Sequence, residues 1–339
     1  MIAVFRADAS ATLGGGHVMR CLTLADTLAG AGWRCGFACN EEASDVVPGI
    51  SRHDLLPLPP NADSVGLMRE RWGDTWDLAV IDHYGLDAAF ERALRPIASR
   101  ILVIDDLHDR KHDCDFLLDQ TLGRGETDYR GLIPPGCRMM MGTEYALLRE
   151  QFPLRRDAAL ESRRSRSGRI DRVLVFFGAT DPFNITSSAL DALAFSGWKG
   201  GMDVVLGKGA PYLDAIGLKI TNKINGAVFH RGSDDMARLI ENADLALGSP
   251  GTTSWERCCL GLPTVLITFA ENQREIAAGL GRAGAAVDLG WYEDVTVVDL
   301  AKSICDLAMS PDKVKKISDA SAFLCDGMGS ARVKEALGT

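Results

Sequence analysis

The sequence predicts an α/β protein of two doubly wound, Rossmann-like domains. Three observations predict it. Short apolar runs alternate with amphipathic helical patterns almost throughout, one polar and basic stretch breaks that rhythm near the middle, and the 339 residues are too many for one ordinary domain but suit two of ~150.

In the first half the runs are Ile2–Phe5, Leu78–Ile81, Ile101–Ile104 and Phe116–Leu118. In the second half they are Val173–Phe177, Val204–Leu206, Val228–Phe229, Leu245–Leu247 and Val265–Ile267. Runs so short and uninterrupted suit strands covered on both faces, as in parallel sheets. Between them, Val18–Leu28 sets Val18, Cys21, Leu22, Ala25 and Leu28 on one stripe, the pattern of a helix with one buried face. Residues 154–170, LRRDAALESRRSRSGRI, are nearly free of large apolar groups, and the alternation restarts at Asp171–Phe177. This assigns residues 1–155 to a first domain, 156–170 to a linker and 171–339 to a second domain, which ends in helical patterns at Ala301–Met309 and Val314–Leu324. Ligands of such sheets sit beyond the carboxyl ends of the strands, so the expected site lies in the cleft between the two domains.

Hydrophobic residues at 46% and charged ones at 24% allow two sizeable cores. A net charge of -9 argues against nucleic-acid partners and anionic membrane surfaces, both of which recruit basic patches. It does not bear on a phosphorylated small molecule, which meets a local pocket. Nine cysteines lie scattered with no C-x-x-C pair and read as small buried hydrophobes in a reducing compartment. Met1–Asp8 reads as a strand rather than a signal peptide, and no apolar run approaches the ~20 residues of a membrane span. A cytoplasmic monomer is expected.

After the first run come Arg6-Ala7-Asp8-Ala9-Ser10, then Gly14-Gly15-Gly16-His17, then a helix opening at Val18. Glycines permit close backbone approach to a ligand, and a helix N-terminus offers free N–H groups to an anion. A dinucleotide fingerprint would need glycine where Met19 stands. The positive end of the helix dipole disfavours imidazolium at His17, so a neutral histidine suited to general-base work is expected there. A histidine that only caps the helix fits the same position.

The second half holds Gly248-Ser249-Pro250-Gly251-Thr252-Thr253-Ser254-Trp255-Glu256, after the run Leu245–Leu247. Such a helix start can cradle a diphosphate, and Glu256, one turn beyond Thr252, can accept ribose hydroxyls. An ordinary capped helix reads the same way. Two further polar loops follow strands of this half, Gly178–Asn184 and Glu271-Asn272-Gln273. Three such loops on one sheet favour a ligand site over three independent caps.

Together these segments resemble the hydrolases of pseudaminic acid biosynthesis, which release UDP from UDP-2,4-diacetamido-2,4,6-trideoxy-β-L-altropyranose. The resemblance rests on Arg6–Ser10, Gly14–His17, Arg20–Ala25, Asp82-His83-Tyr84, Ile104-Asp105-Asp106, Tyr145–Arg149, Thr253–Glu256 and Asn272-Gln273, in order over about residues 1–285. The chain departs from the family at Asp119, where asparagine is usual, and at Ser249-Pro250, where small residues or glycine are usual. More distantly, the second half is similar to the N-acetylglucosaminyl transferase of peptidoglycan synthesis. The resemblance implies the GT-B fold, with two Rossmann-like domains facing across a cleft. It implies water activation by His17, attack at the anomeric carbon with inversion, UDP as leaving group, and no metal or other cofactor. Arg6, Asp8, Gly15, Gly16, Asp82 and Tyr84 are the expected sugar contacts. Glu256 would bind the ribose and Gly251, Thr252 and Thr253 the diphosphate, with Thr180, Asp181, Asn184, Arg231, Ser249, Asn272 and Gln273 completing the UDP set.

The chemistry closes with few groups. Ordinary glycosidases need a carboxylic acid to protonate a poor leaving group, whereas UDP leaves as a stabilised anion. A base for water and donors for the growing phosphate charge are what remain necessary. Asp8, Asp82 or Asp105 is expected to orient His17. Asp113-x-Asp115 precedes a strand rather than ending one, and His108 and His112 lie in what reads as a solvated loop, so neither supports a metal. Three other readings stand: a GT-B glycosyltransferase using the same donor, an NAD-dependent oxidoreductase with Glu41 at the end of its second strand, and a nucleotide-sugar sensor without catalysis.

Overall fold

The computed structural model describes residues 1–223 and 226–338. They form two compact units, one of residues 1–147 with the chain from Met328 onward, the other of Leu148–Gly327.

The first unit holds seven parallel strands: β1 (Ile2–Ala7), β2 (Arg34–Asn40), β3 (Asp54–Leu58), β4 (Leu78–Asp82), β5 (Ile101–Ile104), β6 (Phe116–Asp119) and β7 (Arg138–Met141). Their order is β3-β2-β1-β4-β5-β6-β7. Alternate residues of each central strand serve two different cores. Ala3, Phe5, Val80, Leu102 and Ile104 pack with Val18, Cys21, Leu24, Ala25 and Leu28 of the helix Gly16–Ala29. Val4, Ala79, Ile81 and Val103 point to the other face, against Met68, Leu94 and Tyr129. Each fully buried aliphatic or aromatic side chain contributes roughly 1.5–3 kcal/mol, which is why these strands read as unbroken apolar runs.

The final helix, Gly329–Ala336, also belongs to this unit, and the expected second domain of 171–339 is corrected accordingly. Val333, Ala336 and Leu337 join the core of the first helix. A side chain at Gly329 would collide with the backbone of Tyr145 and Ala146, so glycine lets the helix settle there. Arg100 and Arg138 then bond the carbonyls of Leu337 and Ala336 at its end.

The second unit holds six parallel strands: β8 (Arg172–Phe176), β9 (Gly201–Leu206), β10 (Ala227–Arg231), β11 (Leu245–Gly248), β12 (Thr264–Thr268) and β13 (Val287–Trp291). Their order is β10-β9-β8-β11-β12-β13, the same winding as in the first unit. The strand direction of winding reverses between β1 and β4 in one sheet and between β8 and β11 in the other, the places where doubly wound sheets bind ligands.

The expected linker is largely a helix, Gln151–Arg166, inside the second unit. Of its five arginines only Arg164 is exposed. Arg163 is buried and donates to the carbonyls of Leu260, Ala243 and Ile240 at 2.6–2.7 Å. Arg156 reaches the carbonyls of Cys325 and Ala322 at 2.8 Å, and Arg166 pairs with Asp244 at 2.6 Å. These guanidiniums satisfy carbonyls that helix ends leave without partners. Burial pulls Arg163 down to about 9, with neighbouring Arg166 adding to the effect.

No helix among the described residues is long and apolar enough to cross a membrane.

Candidate functional site

In the first unit the residues gather at the reversal between β1 and β4. His17 is the second residue of the helix that follows β1, and Asp82 is the last residue of β4. Nδ1 of His17 lies 2.6 Å from Oδ1 of Asp82. Arg20, one turn further along the helix and on the same face, donates from Nε to Oδ2 of Asp82 at 2.6 Å and from Nη2 to Oδ1 at 2.7 Å. Its Nη1 donates to Asp106, beyond β5, at 2.8 Å. Asp82 is wholly buried, which pushes its carboxyl up, but Arg20 and His17 outweigh burial and hold it well below the usual carboxylate range. Of Asp8, Asp82 and Asp105, it is Asp82 that meets His17.

This contact fixes the tautomer of the neutral ring. A carboxylate can only accept, so Nδ1 carries the proton and donates it to Asp82. The lone pair therefore sits on Nε2. Tyr84 stands edge-on to the ring, with centroids 4.4 Å apart and planes at 87°. A buried acceptor, a held ring and a bare Nε2 form the arrangement of an oriented general base.

The other expected sugar contacts are largely committed within the unit. Asp8 accepts from both terminal nitrogens of Arg6, from the backbone N–H of Asn40 at 2.8 Å and from His83. The Nδ1 of His83 accepts from the Gly85 N–H at 2.9 Å, so its proton sits on Nε2 and goes to Asp8 at 3.0 Å. Burial raises the Asp8 carboxyl, but the bonds from His83 and Arg6 hold it well below its ordinary value. In the glycine loop, Gly14 takes a positive φ of 77° in a turn closed by its N–H on the Ser10 carbonyl. A side chain at Gly15 would press on Val46 and Val47. A turn and a packing contact thus account for these two glycines. Gly16 begins the helix and is partly exposed.

Asp8 and Asp82 share a pH signature. Their folded-state values lie below those of the unfolded chain, so the stability they contribute is present above about pH 4 and is lost as pH falls further. Melting temperatures measured from pH 6 to pH 3 should drop along this limb, less steeply in Asp8→Asn than in the parent chain.

The stretch 106–113, expected as a solvated loop, is exposed only at Asp109 and Lys111, while His112 is buried, and this is corrected. His112 bonds Glu91 at 2.7 Å, and the Tyr129 hydroxyl lies 3.0 Å from Asp105 and 2.9 Å from Asp119. One hydroxyl proton cannot serve two carboxylates. Burial pushes the Asp119 carboxyl up. The carboxylates of Asp113 and Asp115 both accept from Arg95 at 2.7 Å. Among the described residues no group of three or more histidine, cysteine or acidic side chains is placed to hold a metal ion.

In the second unit, Glu256 lies in the first turns of the helix Thr253–Cys259, after β11. Its Oε1 accepts from Arg149 at 3.1 Å, while Oε2 is buried with no partner. The preceding turn is pinned from below. Arg257, fully buried and pulled down to about 10 by desolvation, donates to the Ser249 carbonyl at 2.7 Å and to Ser254 at 3.1 Å. Gly248 leaves the space its guanidinium occupies. Ser249 is thereby buried, while Gly251, Thr252 and Thr253 are partly exposed at the helix start. Thr252 makes no side-chain cap there.

Thr180 is buried after β8. Asp181 receives the N–H groups of Ile185 and Thr186 at 2.9 Å each, so its carboxylate occupies the start of the helix Ile185–Phe195. Burial nonetheless raises it. Asn184 sits at φ 55° with a buried, unpartnered Oδ1. Gln273 is tied to the Phe269 N–H at 3.0 Å, and Asn272 beside it is partly exposed. Arg231 is exposed at the end of β10, over Phe229 and 3.5 Å from Asp214. The sequence reading gave no role to Arg20, Asp106, Arg149 or Arg257. The signal for Arg20 was present: a charged residue three positions after His17, inside an otherwise apolar helix face, requires a buried acid.

The chain is 25% identical to the UDP-2,4-diacetamido-2,4,6-trideoxy-beta-L-altropyranose hydrolase of Campylobacter jejuni, over 85% of this chain and 99% of that protein. The resemblance is to a UDP-sugar hydrolase. It is also 24% identical to the spore coat polysaccharide biosynthesis protein SpsG of Bacillus subtilis, over 96% of this chain and 95% of that one. A third relative, an uncharacterized protein of Methanocaldococcus jannaschii, is 26% identical over 79% of this chain, which spans only 56% of that protein. No family model matches. Among solved structures, MurG of Acinetobacter baumannii aligns with a TM-score of 0.64 at 12% identity, covering 100% of this chain and 99% of its own. The UDP-GlcNAc 2-epimerase of Neisseria meningitidis, solved with UDP-GlcNAc, aligns with a TM-score of 0.65 at 11% identity, covering 99% of each chain. The fold is GT-B, as the resemblance in sequence implied.

Proposed function

We propose that this chain hydrolyses a UDP-sugar to UDP and free sugar, the substrate being UDP-2,4-diacetamido-2,4,6-trideoxy-β-L-altropyranose in pseudaminic acid biosynthesis. The observation that carries the reading is the His17–Asp82 contact at 2.6 Å, clamped by Arg20, because it leaves Nε2 of a held imidazole to accept a proton. Water approaches the anomeric carbon and gives a proton to Nε2. The new C–O bond forms as the bond to the UDP oxygen breaks, so the electron pair leaves with UDP and the anomeric centre inverts. The imidazolium that forms faces the carboxylate of Asp82, which stabilises it. No acid is needed for the leaving group, which is already a stable anion.

In the second unit, Glu256 is assigned to the ribose. Its buried Oε2 has no partner among the described residues, and a ribose hydroxyl would supply one. The backbone N–H groups at Thr252 and Thr253 are assigned to the diphosphate. Glu256→Gln should weaken UDP binding about tenfold or more, since hydrogen bonds to charged groups are worth roughly 1.5–3 kcal/mol. Titration calorimetry with UDP measures this, and unchanged affinity would remove Glu256 from the nucleotide site.

The fold neighbours include glycosyltransferases, so transfer of the sugar to an acceptor is the competing reading. Phosphorus NMR of the purified chain with the UDP-sugar and no acceptor separates the two. Hydrolysis predicts UDP accumulating with equal free sugar, whereas UDP that forms only once an acceptor is added would make the chain a transferase.

A further inference from the structure

Besides Cys114, six cysteines, Cys21, Cys35, Cys39, Cys258, Cys259 and Cys325, are buried. Loss of water pushes their thiols up, which makes them poor nucleophiles. Cys114 and Cys137 are different. Their sulfurs lie 3.6 Å apart although 23 positions separate them in sequence. Cys114 stands two residues before β6 and Cys137 one residue before β7. These strands are paired, with Phe116 opposite Arg138, and the Arg138 N–H donates to the Asp115 carbonyl at 2.9 Å between the two cysteines. The sheet itself therefore holds the sulfurs together. Cys114 is buried and Cys137 is partly exposed, so one thiol can be reached from solvent and the other waits behind it.

We propose that Cys114 and Cys137 form a reversible intramolecular disulfide, with Cys137 as the attacking thiol and Cys114 as the resolving one. The bond requires the sulfurs to close from 3.6 Å to about 2.05 Å. The Cys114 thiol hydrogen bond pulls Cys137 down, and Arg95, which binds the acids on either side of Cys114, adds to this. The same contact pushes Cys114 up.

The co-reactant is a small-molecule disulfide of the glutathione class. Cys137 thiolate attacks one of its sulfurs, forms a mixed disulfide and releases one small thiolate. Cys114 then loses its proton, attacks the Cys137 sulfur and releases the second. Two protein thiols are oxidised by two electrons, and one small disulfide is reduced to two thiols.

The test uses the full chain in graded ratios of oxidised to reduced glutathione, quenched in acid, alkylated under denaturing conditions and mapped by mass spectrometry. The expected result is a peptide pair joined through Cys114 and Cys137, lost on adding dithiothreitol. In Cys114→Ser, whose circular dichroism and melting curve check its folding, Cys137 should stop at the mixed disulfide. Cys305 is also partly exposed and serves as a lone-thiol reference, taking at most one glutathione. A parent chain in which Cys137 accumulates as the mixed disulfide, or in which both thiols stay alkylated while Cys305 is modified, would overturn the proposal.

Discussion

Asp82→Asn is expected to lower the free energy of unfolding by about 3–5 kcal/mol, the usual cost of removing one partner from a buried ion pair. Asp82 receives four hydrogen bonds, two from Arg20, one from His17 and one from the Cys21 thiol, in a place closed to water. An asparagine can accept through one oxygen only, and its amide group would turn two protons toward donors that already carry them. Arg20 cannot answer by losing its charge, because a guanidinium stays protonated in any folded protein. It would be left buried with Asp106 alone. Urea titration of parent and variant measures the loss. A difference under about 1 kcal/mol would mean that the cluster contributes little to holding the sheet's carboxyl edge together.

His17→Ala should leave the fold intact and lower UDP release by 10²-fold or more, the usual contribution of a positioned general base. His17 lies at a helix start, and its ring contacts Asp82 and Tyr84 rather than the main apolar core. The loss should fall on kcat, with KM within a few-fold, because the base acts on water rather than on the nucleotide. Asp82→Asn, assayed where it is still folded, should lower kcat in the same direction, since one neutral oxygen replaces the carboxylate that holds both Arg20 and Nδ1 of the ring. If His17→Ala released UDP at the parent rate, the histidine would be a helix-start residue and nothing more.

The fold was legible because its central strands are buried on both faces. Ile2–Phe5, Leu78–Ile81 and Ile101–Ile104 read as strands and are strands. The edge and outer strands were harder. β3 carries a proline in DLLPL, β7 opens on an exposed arginine in RMMM, and β13 alternates polar and apolar residues in VDLGW, so their apolar stretches are short or broken. The helix Gln151–Arg166 was misread for a different reason. Its arginines look solvated in sequence, while in the fold they reach carbonyls supplied by residues up to 169 positions away. The terminal helix was assigned to the wrong unit because only packing against Ala146 and the first core decides its place.

For the candidate site, sequence reasoning named His17, three acids as candidates to hold it, and Glu256. It could not choose among Asp8, Asp82 and Asp105, because the choice depends on strand register. Asp82 lies opposite Ala7 at the end of β4, while Asp8 is drawn to Arg6, Asn40 and His83, and Asp105 to Tyr129 and Arg110. Asp181 looked like a nucleotide contact because a loop acid after a strand reads the same whether it meets a ligand or caps the next helix.

The central claim is that water, activated at His17, attacks the anomeric carbon. Hydrolysis of the UDP-sugar in oxygen-18 water, followed by mass spectrometry of both products, tests it most directly. The account predicts one heavy oxygen in the free sugar and none in UDP. Heavy oxygen in UDP would mean that water attacks phosphorus, and would contradict the mechanism while leaving the fold and the nucleotide contacts in place.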